Sequence, residues 1–232
     1  MSSPTDYVKK GFLRVIDPAV GFLARHNVNP NTITTVGTLL TIAAGVVYAT
    51  GHIMTAGWLM SVTAVFDVID GQVARRTGKS TVFGAFYDST LDRVADGALM
   101  AGLTVFYMTN PVHHNIYMVV VCLVGIIGTF LVSYTRARAE SLGTDAKVGV
   151  MQRPERIVLL SAPQALFGLF WNGWVLMGII ILLSVTAWIT AVQRIAFVHR
   201  FTKNIESKPI RMVSDPASPP KAEISAPRRA QS

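Results

Sequence analysis

The sequence predicts an all-α integral membrane protein, a bundle of six transmembrane helices with an N-terminal amphipathic helix beside the membrane. Of its 232 residues, 51% are hydrophobic and only 15% are charged, whereas soluble domains carry about 25% charged residues. The apolar residues also collect into runs that approach or reach the roughly 20 residues needed to cross a bilayer. These runs cover residues 33–50, 53–69, 97–109, 116–134, 157–171 and 174–198.

The basic residues predict how this bundle is oriented. Lys and Arg occur before the first run, at the second and fourth connections and after the sixth run, and the other three connections contain none. Such an alternation is the positive-inside pattern of a multi-pass protein. We therefore expect both termini on the cytoplasmic side of the cell membrane. The net charge of +8 then belongs to one membrane face and does not indicate a nucleic-acid partner.

The chain divides into three predicted regions. Residues 1–28 form a cytoplasmic amphipathic segment, in which apolar residues alternate with Lys9, Lys10, Arg14 and Arg25. This segment either lies on the membrane surface or packs on the bundle, and the sequence supports both interpretations equally. Residues 29–203 form the membrane domain. Residues 204–232 are rich in Pro, Ser, Ala, Lys and Arg without apolar periodicity, which predicts a disordered cytoplasmic tail.

A turn precedes the first span. The sequence Asn29-Pro30-Asn31-Thr32 offers Asn or Thr as the N-cap of a helix with proline near its start. A plain helix cap is sufficient to explain it. The functional alternative is that the free N–H groups and Thr34 face a phosphate or nucleotide at the cytoplasmic edge.

Four aspartates lie where the second span ends and the third begins. Asp67 and Asp70 are three residues apart, and Asp88 and Asp92 are four apart, so each pair shares one helix face. An ionised side chain within a membrane helix costs about 3 kcal/mol, which calls for protonation, arginine partners or a bound cation. Two antiparallel helices joined by the intervening turn would bring the four carboxylates to face one another. Such a group suits one or two Mg²⁺ or Mn²⁺ ions.

The residues around these aspartates resemble the signature of the CDP-alcohol phosphotransferases. The matching pattern is Asp67-x2-Asp70-Gly71-x2-Ala74-Arg75-x8-Gly84-x3-Asp88-x3-Asp92. The resemblance covers residues 25–200 and implies a membrane enzyme, usually a homodimer, that displaces CMP from a CDP-linked lipid such as CDP-diacylglycerol with an alcohol. It also implies two divalent metals held by the four aspartates, with Asp92 as general base.

The same resemblance assigns contacts with the CDP-lipid to five positions. They are Asn31, Thr34, Gly71, Arg75 and Thr81. Arg75 has a second interpretation, as an ion-pair partner that holds the aspartates in place. Asp96, one turn after Asp92 and outside the signature, is expected to form a salt bridge or a hydrogen bond on its helix.

Arginines at the ends of the last three spans predict that the acceptor alcohol carries a phosphate. They are Arg136, Arg138, Arg153, Arg156 and Arg194. Guanidinium groups bind phosphate through paired N–H donors, although anchoring at the membrane face explains any one of them. Segments 133–140 and 153–156 resemble the actinobacterial phosphatidylinositol phosphate synthases, a branch of this family that uses inositol 1-phosphate. Those relatives tend to carry Lys where this chain has Arg136.

Two alternative functions fit parts of this pattern. Glycerol 3-phosphate as acceptor, giving phosphatidylglycerol phosphate, would also explain the arginines. A cation-coupled transporter would explain aspartates within membrane helices. However, the aspartates lie near one face, and their pattern is not repeated in residues 116–200. The enzyme is therefore the favoured prediction.

Overall fold

The structure, a computed structural model, describes residues 4–146, 148–151 and 153–203, and the side chains of 11–146, 148–151 and 155–203. All regular secondary structure in these residues is helical, as predicted. The helices are α1 (Pro4–Arg25), α2 (Pro30–Ala49), α3 (Ile53–Thr77), α4 (Val82–Thr109), α5 (Ile116–Ser141), α6 (Arg153–Phe167) and α7 (Trp174–Lys203), with a short 3₁₀ helix at Phe170–Gly173. The predicted tail, 204–232, lies outside the described residues.

Four of the six predicted spans have the length and hydropathy of membrane-crossing helices: α2, α3, α5 and α7 with its preceding 3₁₀ turn. The other two do not meet both conditions. Helix α4 has 28 residues, but Asp88, Asp92, Arg93 and Asp96 lie within its first 15 residues. Helix α6 has only 15 residues, or roughly 22 Å at 1.5 Å per residue. A six-span topology therefore stays a prediction.

Local hydrogen bonds fix the helix ends that surround the aspartates. The Asn29 side chain accepts a hydrogen bond from the Asn31 N–H at 3.0 Å and caps α2. Helix α3 ends at Gly78 in the left-handed conformation, with φ of 66°, which glycine adopts at little cost. The Thr81 hydroxyl then accepts from the Gly84 N–H at 2.9 Å and caps α4. The polar reversal between the two aspartate pairs is thus determined locally.

Helices α2 to α7 form a closed ring. The main contacts run from α6 to α3, α2, α4, α5 and α7, and α7 then returns to α6. Helix α2 therefore packs against both α3 and α4, whose main contacts are with it and not with each other. The turn between the aspartate pairs joins α3 to α4, but α2 packs between these two helices. The first turns of α2 therefore lie next to the helices that carry the two aspartate pairs.

Glycines allow the backbones in this ring to touch. A Cβ added to Gly102 on α4 would lie 2.0 Å from the carbonyl oxygen of Gly45 on α2. A Cβ on Gly57 of α3 would lie 2.3 Å from the Ala165 nitrogen on α6. Small residues of this kind permit close packing of membrane helices, where hydrophobic burial gives little drive for association. They explain why α2 lies so close to α4.

Helix α1 packs on the outside of α3. Ile16 and Val20, one turn apart, are buried against Ile33, Ile69 and Val73. An ion pair of 3.0 Å joins Asp17 of α1 to Arg76 of α3. Of the two interpretations of this segment, packing on the bundle is thus present in the structure.

Candidate active site

A cavity of about 170 Å³ opens where α2 begins, α3 ends and α4 begins. We call it the donor cavity. Its wall contains all five residues predicted to contact the CDP-lipid, namely Asn31, Thr34, Gly71, Arg75 and Thr81. Asp70 and Asp88 also line it. Residues that are 57 positions apart in the printed sequence, from Asn31 to Asp88, are therefore gathered around one space.

Three carboxylates converge beside this cavity. Asp70 is buried and accepts a hydrogen bond of 2.7 Å from the Thr34 hydroxyl. Asp67 and Asp88 both interact electrostatically with it. The Thr34 hydroxyl also contacts the Pro30 carbonyl at 3.2 Å. Thr34 therefore links the start of α2 to the aspartates.

Asp92 lies one turn further along α4 and does not line the donor cavity. Its carboxylate is 3.8 Å from the guanidinium of Arg93, and the Asp92 side chain is 16% exposed. The Arg93 guanidinium also donates to the Ser89 carbonyl. Asp92 thus keeps partial access to solvent beside a cation.

The donor atoms at this site suit a hard divalent cation. All four aspartates offer carboxylate oxygens, the ligands that Mg²⁺ and Mn²⁺ prefer, and Asp70 interacts electrostatically with both Asp67 and Asp88. Among the described residues, however, no three acidic, histidine or cysteine side chains are already grouped tightly enough to hold an ion. The aspartates fit a metal by chemistry and location, and their side chains would have to rotate to enclose it.

The guanidinium of Arg75 lies beside Gly71, at the distance of an ordinary van der Waals contact from a Cβ placed there. A Cβ at Gly71 would lie 3.5 Å from the Nη1 and Nη2 atoms of Arg75. The guanidinium also lines a second cavity, of about 330 Å³, between α1 and α3. Arg75 therefore borders both cavities.

Two polar residues of the donor cavity, Lys79 and Ser80, were not predicted from the sequence. Both belong to the reversal between α3 and α4, and the Lys79 ammonium donates to the Asn27 carbonyl at 3.2 Å. Their location between the two aspartate pairs was a usable signal. Any ligand held by both pairs must pass close to the turn that joins them.

The predicted acceptor residues form a second group. Arg194 of α7 interacts electrostatically with Arg136 of α5 and Arg156 of α6. Arg194 also donates to the carbonyls of Val132, and of Val148 at 2.9 Å. Three cations from three helices therefore form one electrostatic group, which also includes the Glu140 carboxylate. Such a group attracts an anion, because a bound phosphate relieves their repulsion.

The predicted acceptor arginines also make contacts outside this group. Arg136 also forms an exposed ion pair with Glu140, at 2.9 Å. Arg138 contacts the Ser141 hydroxyl at 3.5 Å on its own helix. The Arg153 side chain lies outside the described residues. Asp96 forms a salt bridge with Arg156 at 2.7 Å, which confirms the kind of contact expected for it.

Comparison with known proteins identifies the family and several relatives of this chain. The family profile described as CDP-alcohol phosphatidyltransferase matches residues 27–198. An archaetidylinositol phosphate synthase of Methanothermobacter thermautotrophicus is 37% identical over 190 residues, covering 82% of this chain and 91% of the relative. A phosphatidylinositol phosphate synthase of Streptomyces avermitilis is 36% identical over 203 residues, covering 84% of this chain and 82% of the relative.

Solved structures show the same similarity in three dimensions. The Mycobacterium tuberculosis phosphatidylinositol phosphate synthase with CDP-DAG bound has a TM-score of 0.72 and 29% identity, covering 80% of this chain and 94% of that one. The same enzyme with manganese and citrate has a TM-score of 0.70 and 29% identity, with coverage of 78% and 88%. With its apolar helices, the protein is a multi-pass membrane enzyme. The chain belongs to the CDP-alcohol phosphatidyltransferase family.

Proposed function

We propose that the protein transfers the phosphatidyl group of CDP-diacylglycerol to inositol 1-phosphate, forming phosphatidylinositol phosphate and releasing CMP. The observation that carries this proposal is the donor cavity, whose wall combines two aspartates with all five predicted CDP-lipid contacts. The solved relative binds CDP-DAG. Two relatives from different organisms are named as synthases of an inositol phosphate lipid, one of archaetidylinositol phosphate and one of phosphatidylinositol phosphate.

The four aspartates would hold two divalent ions, Mg²⁺ or Mn²⁺, in line with the manganese in a solved relative. Ions bound there would offset the charge of the diphosphate and of the departing CMP. The chain prepares this site in two ways. The Thr34 hydroxyl orients one oxygen of Asp70, and the repulsion of Asp70 by Asp67 and Asp88 favours a cation beside Asp70.

Asp92 would take the proton of the attacking hydroxyl. The acceptor oxygen then bonds to the phosphorus that carries diacylglycerol, while the bond from that phosphorus to the CMP oxygen breaks. Positioning contributes most of the effect of such a base in phosphoryl transfer. Arg75 and Lys79, both in the cavity wall, would balance the negative charge of the CDP group.

Arg136, Arg156 and Arg194 would bind the phosphate of the acceptor, with Arg138 and Arg153 beside them. The supporting observation is that Arg194 lies within electrostatic reach of the other two. Glycerol 3-phosphate offers the same phosphate, so the arginines alone do not choose between the two acceptors. The names of the relatives favour inositol phosphate, and membership in an enzyme family favours transfer chemistry over cation-coupled transport.

We further propose that α2 to α7 all cross the cell membrane, with the active site and both termini on the cytoplasmic side. The positive-inside pattern supports this orientation. Helix α1 would lie on the cytoplasmic surface, which the exposed Val15 and Phe22 beside its buried face support. A homodimer is proposed from the resemblance to the family.

The test compares acceptors. Purified protein with CDP-diacylglycerol and Mg²⁺ or Mn²⁺ is assayed for CMP release with inositol 1-phosphate, glycerol 3-phosphate or free inositol. We expect the highest kcat/KM with inositol 1-phosphate, and loss of activity on chelation that added metal restores. Preference for glycerol 3-phosphate would overturn the acceptor, and no CMP release with any acceptor would overturn the reaction.

A further inference from the structure

A largely buried ion pair crosses the interior of the helix ring. The Oδ2 atom of Asp96 on α4 lies 2.7 Å from the Nη2 atom of Arg156 on α6, and the two side chains are 14% and 15% exposed. Helices α4 and α6 are not neighbours in the ring. Both residues also line a small cavity, of about 40 Å³, whose other walls are mostly apolar. The pair therefore joins two helices that the packing of the ring leaves apart.

We infer that Asp96 is a positioning residue, which holds Arg156 in place to receive the phosphate of the acceptor. This inference rests on the proposed function and adds a residue that lies outside the signature of the family. Its first support is electrostatic. Arg194 repels both Arg136 and Arg156, and a long arginine side chain has many rotamers through which it can turn away. The Asp96 carboxylate opposes that movement.

The geometry of the guanidinium provides the second support. Arginine has five N–H donors in one plane, and the bond to Asp96 is made through Nη2. A carboxylate that holds one donor sets the plane of the group and leaves further donors for a phosphate. Arg156 is thus oriented before the acceptor arrives, which reduces the loss of side-chain entropy on binding.

The third support is the register of α4. Asp88, Asp92 and Asp96 follow one another at intervals of four residues, so they share one face of the helix. Each step advances roughly 6 Å along the axis. The proposed base and the carboxylate that fixes Arg156 therefore lie one turn apart. One rigid helix would set the distance between the attacking hydroxyl and the phosphate of a ring-sized acceptor.

The test measures KM for the phosphorylated acceptor and for CDP-diacylglycerol separately, together with the melting temperature. Asp96→Asn is expected to raise the acceptor KM about tenfold or more, since it breaks a buried charge pair, and to change the CDP-diacylglycerol KM by less than about twofold. Asp96→Glu, which keeps the charge but displaces the carboxylate, should give a smaller, several-fold rise. The matched control is Asp17→Asn, which breaks the exposed pair with Arg76 and should leave both KM values unchanged.

A double-mutant cycle with Arg156→Ala tests whether Asp96 acts through this arginine. In the Arg156→Ala background, Asp96→Asn should raise the acceptor KM no further. Additive effects would overturn the inference. An unchanged acceptor KM in Asp96→Asn would also overturn it, and a lowered one would mean that Asp96 competes with the phosphate. If Asp96→Asn does not fold, Asp96→Glu decides, and an unchanged acceptor KM there overturns the inference.

The acceptor used by the unmodified protein separates this inference from the proposed function. If glycerol 3-phosphate is used and Asp96→Asn raises its KM, the positioning role holds while the proposed acceptor fails. If inositol 1-phosphate is used and Asp96→Asn is normal, the acceptor holds and the positioning role fails. If only an alcohol without phosphate is used, or no acceptor at all, both are overturned.

Discussion

The two halves of the candidate site are built differently. The donor half consists of the start of α2, the end of α3 and the start of α4, and most of its residues fall within 67–92. The acceptor half consists of Arg136, Arg156 and Arg194, each from a different helix among α5, α6 and α7. The proposed donor residues therefore lie mostly in one nearly continuous segment, whereas the proposed acceptor residues come from distant parts of the chain.

The side chains in the two halves are also held differently. In the donor half, Thr34 bonds directly to Asp70. In the acceptor half, backbone carbonyls hold Arg194 and the carboxylate of Asp96 holds Arg156. Because the donor half is proposed to bind the metals and the CDP-lipid, changes there should reduce kcat or metal affinity. Changes to the acceptor half should mainly raise the acceptor KM. The following predictions test this separation.

The largest effect is expected for Asp92→Asn, which removes the proposed base. We expect kcat to fall by about 10²–10⁴-fold, with binding of CDP-diacylglycerol largely retained. Single-turnover CMP release and CDP-lipid binding are the two measurements. A variant that keeps its kcat and loses only acceptor affinity would assign Asp92 to the acceptor half and contradict the proposed division of the site.

Arg194→Lys tests the acceptor half. Lysine keeps the charge but lacks the fork that donates to the carbonyls of Val132 and Val148, and we expect the acceptor KM to rise roughly 10- to 100-fold with kcat little changed. Arg200→Lys, an exposed change six residues further along α7, is the control. An equal rise in the CDP-diacylglycerol KM would contradict a separate acceptor half.

Thr34→Val tests how the donor half prepares the metal site. It deletes the hydroxyl that donates to Asp70 while keeping the branched shape. We expect the apparent affinity for Mn²⁺, measured by activity against metal concentration, to fall about tenfold, as for other residues that orient a metal ligand. Thr32→Val, at an exposed position on the same turn, should leave it unchanged. If both variants behave alike, the Thr34 contact has no role in metal binding.

Gly102→Ala should have the smallest effect on catalysis and a measurable one on stability. The added methyl would overlap the Gly45 carbonyl and push α2 away from α4, at a cost of about 1–3 kcal/mol. The melting temperature should drop, and any change in KM should concern CDP-diacylglycerol. Gly178→Ala is the control, because a Cβ there meets no atom within 4 Å. Equal melting temperatures for the two variants would show that this helix contact tolerates expansion.

Several features were predictable because they depend on neighbours in the chain. The apolar runs gave the all-helical architecture, and Asn29 and Thr81 cap α2 and α4 through bonds within three residues. The spacing of the aspartates placed each pair on one helix face. Two neighbours of these residues in the donor cavity, Lys79 and Ser80, were not identified, since a polar turn has no periodicity that shows which side chains line a cavity.

The sequence by itself determined the helices, the oxygen-rich aspartate pairs and the resemblance to a family, because helix formation and side-chain spacing are local properties of the chain. Only the tertiary structure decided that α2 lies between α3 and α4, so that Thr34 reaches Asp70. It also decided which carboxylate meets Arg156, since Asp96 is 60 residues away. Such pairings depend on which helix backbones the glycines allow to touch and on the order of the helices around the ring. Neither can be predicted from a local sequence pattern.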